Sequence, residues 1–173
     1  MKMRTVFNLL GPLTNPAGAQ TQVIGAPSVE FAGIMAEALA ALGTGHSFVV
    51  HGVLAEGGGL DEVSTTGVTE VFEVWSGSVK KRVWVPEDFG VPKVALSALA
   101  GGDAGENAKI AMELLGGMKG PRRDIVLVNA AVGLMAMGLA ATPREGLALA
   151  AEAVDSGRAL AVLKKLQREF PKN

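Results

Sequence analysis

Ser47-Phe48-Val49-Val50-His51-Gly52 is an apolar, β-branched run, followed shortly by Gly57-Gly58-Gly59-Leu60-Asp61-Glu62-Val63-Ser64. A strand without polar alternation is the pattern of one buried on both faces, as inside parallel sheets. Three consecutive glycines allow positive φ and let the backbone approach a ligand where a Cβ would clash. Two adjacent carboxylates then stand at the carboxyl end of the strand, where open α/β sheets bind their ligands. Asp61 and Glu62 are hard oxygen donors of the kind magnesium takes, one or two carboxylates with water and substrate phosphate completing the shell. The same pair also reads as two solvated acids on an exposed loop.

Immediately upstream, Gln22 to Ile24 forms a short strand candidate. Ser28 caps a helix to Leu42, with Val29, Ala32, Met35, Leu39 and Leu42 as its buried stripe and Gly43 as its C′ residue. Strand, helix and strand in that order predict a parallel crossover. Downstream, Val68 to Trp75 and Val79 to Val85 read as two strands joined at Ser76-Gly77. Pro86 to Gly90 reads as a turn with one helical turn in it.

The rest of the chain is helical in pattern. Asp103 with Glu106 resembles a capping box for a helix to Leu115, striped by Ala104, Ala108, Ala111 and Leu115. Ile125 to Leu139 is apolar nearly all round and predicts a buried helix, although Ile125 to Val128 alone also fits a strand. Asn129 within it is an amide that burial would oblige to find partners, more in keeping with a structural hydrogen bond than a catalytic role. Thr142-Pro143-Arg144-Glu145 carries an N-cap, a proline at N1 and a glutamate at N3. A last amphipathic helix places Leu160, Leu163, Leu166 and Phe170 on one face. Near the start, Gly11-Pro12 and Asn15-Pro16 predict an ordered loop over 11–19 that would make a stiff wall for a flat apolar ligand.

Composition narrows the function classes. The 173 residues suit one domain, and a formal net charge of −1 with scattered bases points to no nucleic-acid partner. Lys80-Lys81-Arg82 and Arg122-Arg123 read as solvated faces. With no cysteine there is no disulfide or thiolate chemistry. His46 and His51 fall on opposite sides of one strand and cannot by themselves build a metal site. No apolar run reaches membrane-spanning length, and the apolar patch after Met1-Lys2-Met3-Arg4 is broken too early for a signal peptide. A cytoplasmic chain with no membrane partner is the expectation.

Arg4-Thr5-Val6-Phe7-Asn8-Leu9-Leu10-Gly11-Pro12-Leu13-Thr14-Asn15-Pro16-Ala17 resembles a signature segment of the anthranilate phosphoribosyltransferases. Val49-Val50-His51-Gly52 with Gly59-Leu60-Asp61-Glu62-Val63-Ser64 resembles the same family's metal-binding strand and loop. Pro86 to Gly90, Gly101-Gly102-Asp103, Glu106-Asn107-Ala108, Asn129-Ala130-Ala131 and Arg144-Glu145-Gly146 agree in order and spacing. The resemblance implies magnesium-dependent transfer of phosphoribose from phosphoribosyl pyrophosphate to anthranilate, in tryptophan biosynthesis. It assigns Asp61 and Glu62 to Mg2+ and Gly11 and Pro12 to the anthranilate site. No nucleophile and base are visible, and displacement with a diphosphate leaving group needs charge neutralisation more than a covalent nucleophile.

The family's N-terminal helical domain has no counterpart in this sequence, nor have its Gly-Thr-Gly-Gly-Asp phosphate loop, Lys-His-Gly-Asn segment and His-Pro-Ala helix. The expectation is therefore one α/β domain over 1–173, resembling the C-terminal part of the family's catalytic domain and inactive alone. Its sheet should have about four strands and about five helices around it. A non-catalytic module complementing a separate N-terminal half is the alternative. A pyrimidine nucleoside phosphorylase relative, sharing the fold, fits the segment Phe7 to Pro16 less well. An unpaired strand edge and the apolar run Ile125 to Leu139 lead to the expectation of a homo-oligomer, most simply a dimer.

Overall fold

In a computed structural model of the chain, which describes residues 11, 13, 15 and 17–170, the apolar run becomes the second of five strands. Strand β1 (Gln22–Gly25) runs parallel to β2 (His46–Val53), with Ile24 beside Val49 and Gly25 beside Val50. Past the end of β1, β2 turns back into β3 (Gly59–Leu60), which pairs with it antiparallel. Gly52 faces Leu60 on one side and Thr69 on the other, so β3 prolongs the β1 side of the sheet. On its other side β2 pairs antiparallel with β4 (Thr69–Trp75), and β4 with β5 (Ser78–Trp84). The sheet is thus mixed, with one parallel pair. Ser76 and Gly77 join the hairpin with φ of 49° and 73°. Positive φ at both centres is the type I′ signature, whose twist matches that of the flanking strands.

Helix α1 (Val29–Ala41) makes the crossover from β1 to β2, as the pattern predicts. Its Ala32, Met35, Ala36 and Leu39 cover one sheet face, against Ile24, Val49 and Val74. The opposite face carries Phe48, Val50, Val71 and Trp84, packed on Phe89 and on Val128, Ala131 and Val132 of α4 (Pro121–Ala136). Successive β2 side chains therefore meet a helix on either side, which is why its sequence is apolar without alternation. Exposed β5 alternates less strictly and carries Lys80, Lys81 and Arg82, with Lys81 bridging to Glu70 at 3.0 Å and Arg82 to Glu73 at 2.6 Å.

Along the chain between β5 and α4 come α2 (Pro86–Phe89), a 3-10 turn (Leu96–Leu99) and α3 (Ala104–Leu115); α5 (Pro143–Asp155) and α6 (Arg158–Glu169) follow α4. The N-caps hold: Ser28, Asp103 and Thr142 accept from the backbone N–H groups of Phe31, Glu106 and Glu145, although Glu106 does not return the bond that a full capping box would have. Such a cap satisfies one of the amides a helix start leaves free. The α4–α5 contact is close because residue 146 is glycine. A Cβ there would lie 2.8 Å from the carbonyl oxygen of Ala131 and 2.9 Å from its Cβ.

Several local expectations are corrected. Gly11 and Leu13 are helical rather than loop, while Pro12 and 1–10 lie outside the described residues. Apart from Gly11 and Leu13, six α-helices are bounded among the described residues: the five expected, and the one helical turn read within Pro86 to Gly90, Pro86–Phe89, ended by left-handed Gly90 at φ 88°. Ile125 to Val128 belongs to the expected helix, so the strand alternative falls away. Helix α3 buries Leu114 rather than the alanine stripe, which is exposed. The stripe of α6 is only partly covered: Leu160 and Leu163 are half-buried, Leu166 and Phe170 exposed.

Arg123 is buried, not solvated, and its Nη2 lies 3.0 Å from Asp155 Oδ1 at the end of α5. Hydrogen bonds from Lys119 and Arg123 hold the Asp155 carboxyl below its ordinary range. A guanidinium taken from water at an interhelical contact needs such a partner. That partner comes from the far end of another helix, invisible to local pattern.

Candidate functional site

Both parallel strands end on the acidic loop. Asp61 follows β3 directly, and its backbone lies against Gly25, the last residue of β1. A Cβ on Gly25 would fall 1.6 Å from the Asp61 carbonyl oxygen. Gly52 is also tight, though less so: its Cβ would meet Ser64 Cβ at 2.8 Å and the Glu62 carbonyl oxygen at 3.0 Å. Only glycine permits two strand ends to approach the loop this closely. The acidic pair therefore stands outside the carboxyl ends of β1 and β2, where open α/β sheets place ligands.

The three glycines divide their work differently from a ligand cradle. Gly57 and Gly58 take φ of 89° and 78° in open surroundings, turning the chain from β2 to β3. Gly59 makes room for a side chain of the protein: its Cβ would sit 2.2 Å from Cε1 of His51. His51 is buried, and its Nδ1 lies 2.8 Å from the Ala26 carbonyl oxygen. With Nδ1–H donating there, the ring ties the β1–α1 junction to the glycine turn. His51 is a structural brace rather than a ligand for a metal, and His46, on the opposite face, pairs with Glu73 at 3.1 Å.

Beyond the acids, the loop is held by its own hydroxyls. Ser64 N–H donates to Thr69 Oγ1 at 2.9 Å, and Thr66 N–H to Ser64 Oγ at 2.9 Å. From α4, Asn129 accepts from Val63 N–H at 2.9 Å and donates through Nδ2 to the Val63 carbonyl at 2.9 Å. The same Nδ2 lies 3.0 Å from the Ile125 carbonyl and 3.3 Å from Glu62 Oε2. The sequence marks Asn129 as an amide in need of partners; that one of them is the carboxylate of Glu62, 67 positions away, it does not reveal.

A cleft of about 400 Å3 opens beside Glu62, walled by Leu60, Leu96, Ser97, Leu99 and Ala100. Its far wall is pinned at three points. Val94 N–H donates to the Thr65 carbonyl at 3.0 Å, Arg122 Nη2 donates to the Ala100 carbonyl, and the Asn107 amide grips both backbone groups of Gly102. Asn107 lies within the sequence resemblance, but its role as an anchor is not legible there.

The donor chemistry suits magnesium in part. Asp61 and Glu62 are adjacent, exposed carboxylates, and no group of three or more potential metal-binding side chains occurs among the described residues. Two hard donors leave most of an octahedral shell to water or phosphate oxygens, the usual arrangement for Mg2+. Glu62, although exposed as a residue, has its pKa raised, first by desolvation and then by the charge of Asp61. Like-charged carboxylates that repel one another are relieved by a cation between them. Of the predicted acceptor-site pair, Gly11 is exposed and helical, whereas Pro12 lies outside the described residues.

A mixed sheet between helices, with an acidic loop at the ends of its parallel strands, defines an α/β domain. The chain belongs to the family described as glycosyl transferase family, a/b domain, whose model matches residues 1–160. Within that family it is similar to anthranilate phosphoribosyltransferases. It is 55% identical over 166 residues to the one from Solibacter usitatus (strain Ellin6076), covering 96% of this chain and 48% of that protein. The one from Geobacter sulfurreducens is 49% identical over 164 residues, 95% of this chain and 46% of the relative.

Solved structures agree. The Thermus thermophilus enzyme superposes with a TM-score of 0.83 at 44% identity, over 95% of this chain and 47% of that one. The Saccharomyces cerevisiae enzyme in complex with PRPP and Mg gives 0.79 at 33% identity, over 94% and 46%. The chain spans about half the length of these relatives. No helix among the described residues is long and apolar enough to cross a membrane.

Proposed function

We propose that this chain carries the metal-binding part of an anthranilate phosphoribosyltransferase, in which Asp61 and Glu62 hold Mg2+ against phosphoribosyl pyrophosphate. The observation that carries the reading is the convergence of β1 and β2 on the acidic loop beside the Glu62 cleft. Support comes from the similarity to an enzyme solved with PRPP and Mg. Bound magnesium supplies positive charge to a diphosphate leaving group. The chain's own residues present the carboxylates, keep them apart from the core, and wall the cleft with Leu60, Leu96 and Leu99. Gly11 and Pro12 contribute to the anthranilate side.

The phosphate-cradling glycine loop of the family is not in this sequence, and backbone N–H groups of that kind ordinarily bind diphosphate. These residues therefore supply one half of a site whose phosphate cradle comes from the family's N-terminal half, and the complete protein is a cytoplasmic homo-oligomer. Phosphoribosyl transfer to anthranilate, followed by loss of the anthranilate fluorescence, tests this. The chain alone should give no turnover, and addition of the N-terminal half of a relative should restore it. In the complemented enzyme, Asp61→Asn with Glu62→Gln should abolish transfer; full activity in that double variant would sink the assignment.

A further inference from the structure

We infer that Asn129 is a positioning residue that sets the aim of Glu62, a reading that rests on the proposed role of Glu62 in metal binding. Its carboxamide is engaged on both edges. Oδ1 accepts from the Val63 N–H at 2.9 Å, and Nδ2 faces three acceptors: the carbonyls of Val63 at 2.9 Å and Ile125 at 3.0 Å, and Glu62 Oε2 at 3.3 Å. An asparagine side chain has two N–H hydrogens, so three acceptors compete for two donors. The two carbonyls hold the shorter bonds, and Glu62 has the longest.

This inequality has a mechanical consequence. The two bonds to Val63 fix the residue next to Glu62 from both sides, as a neighbouring strand would. The backbone from which the carboxylate springs is thereby tied to α4, whose Val128, Ala131 and Val132 are locked in the core. The weaker third contact orients Oε2 without committing it. When a cation takes Glu62, Nδ2 still has two carbonyl acceptors, and no buried donor is stranded. A donor with Glu62 as its only acceptor would instead lose its bond and oppose binding. Outer partners that orient a ligand while leaving it available act in this way at metal sites generally.

No other described side chain holds Val63 by both its N–H and its carbonyl. The hydroxyl bonds of Ser64, Thr66 and Thr69 secure the loop further along, after the acids. Asn129 is thus placed to affect Glu62 more than the sheet beneath it.

NMR of the 173-residue chain with Mg2+ and Mn2+ as probes tests the inference. In the native chain, Mg2+ should shift the Asp61 and Glu62 backbone amides and, in step, the Asn129 side-chain NH2 signals. Static Asn129 signals while the acids respond would overturn it. In Asn129→Ala, exchange of the Val63 amide should quicken while Val49 and Val50 in β2 stay protected, and Mn2+ affinity should fall roughly tenfold. Unchanged Val63 exchange, or equal loss of protection throughout β2, would assign Asn129 a purely structural role or none. Should the alanine variant not fold, the Asn129 response to Mg2+ in the native chain decides alone. Glu62→Gln separates the two claims. If neither chain responds to Mg2+, the metal reading fails, and positioning then stands or falls on whether Asn129→Ala releases Val63 and changes the Glu62 side-chain signals.

Discussion

The Asp61 carbonyl rests on the Cα of Gly25, so closely that a Cβ would intrude to within 1.6 Å of the oxygen. The end of β1 and the start of the acidic loop are therefore one contact, and the site inherits the geometry of the sheet. A side chain at Gly25 cannot be absorbed by a rotamer change, because the obstacle is backbone.

Gly25→Ala should accordingly move the loop. Overpacking at a site without free space typically costs about 1–3 kcal/mol, and the upper end applies here. Urea unfolding should show that loss, and Mn2+ binding should weaken beyond what the remaining folded fraction explains. A variant with native stability and native Mn2+ affinity would show that the loop is not seated on β1.

Gly146→Ala tests the helical layer independently. The new methyl would press on the Ala131 carbonyl at 2.8 Å and force α5 off α4. A loss of about 1–3 kcal/mol is expected, with α5 and α6 amides losing protection in hydrogen exchange. Since Asn129 sits close to Ala131 on the same helix, a smaller change in Val63 exchange should accompany it. An unaltered melting temperature would count against the close packing.

The raised pKa of Glu62 gives a pH dependence of defined sign. Above the ordinary value of 4.5 the unfolded chain releases this proton while the folded chain retains it. The folded state then binds more protons, so stability falls as pH rises through the interval and levels off above the folded pKa. Glu62→Gln removes the group, so its stability relative to the native chain should climb with pH over that interval and then stay constant. Solvent access to Glu62 keeps the effect small. Saturating Mg2+ should reverse the trend in the native chain alone. A stability difference that does not change with pH upward from the ordinary value of 4.5 would contradict the raised pKa of Glu62.

Association should follow from the unpaired side of β1 and from apolar side chains left outside the core. Among the described residues β1 pairs only with β2, while Val126, Met137 and Leu139 of the α4 region are exposed. Open strand edges and apolar patches are the usual substrates of self-association. Light scattering over a dilution series should report a dimer, with Val126→Lys and Met137→Glu shifting it towards monomer. A folded monomer at micromolar concentration would show that these surfaces are managed without a second copy.

Local pattern was enough for the elements whose causes are local. Ser28, Asp103 and Thr142 cap their helices because a hydroxyl or carboxylate three residues before a free N–H reaches it regardless of the rest of the fold. The β4–β5 hairpin is encoded in Ser76-Gly77, and the double burial of β2 in its lack of alternation. The acidic pair was legible from residue type and place, since the carboxyl end of such a strand is where ligands bind. What tertiary structure decided were contacts between distant positions. Gly59 yields space to His51 rather than to a ligand, Arg123 finds Asp155, α3 turns Leu114 inward instead of its alanines, and Asn129 reaches Val63 and Glu62. Each depends on how two elements are set against one another, and that setting arises from packing the whole core at once, a quantity no window of sequence contains.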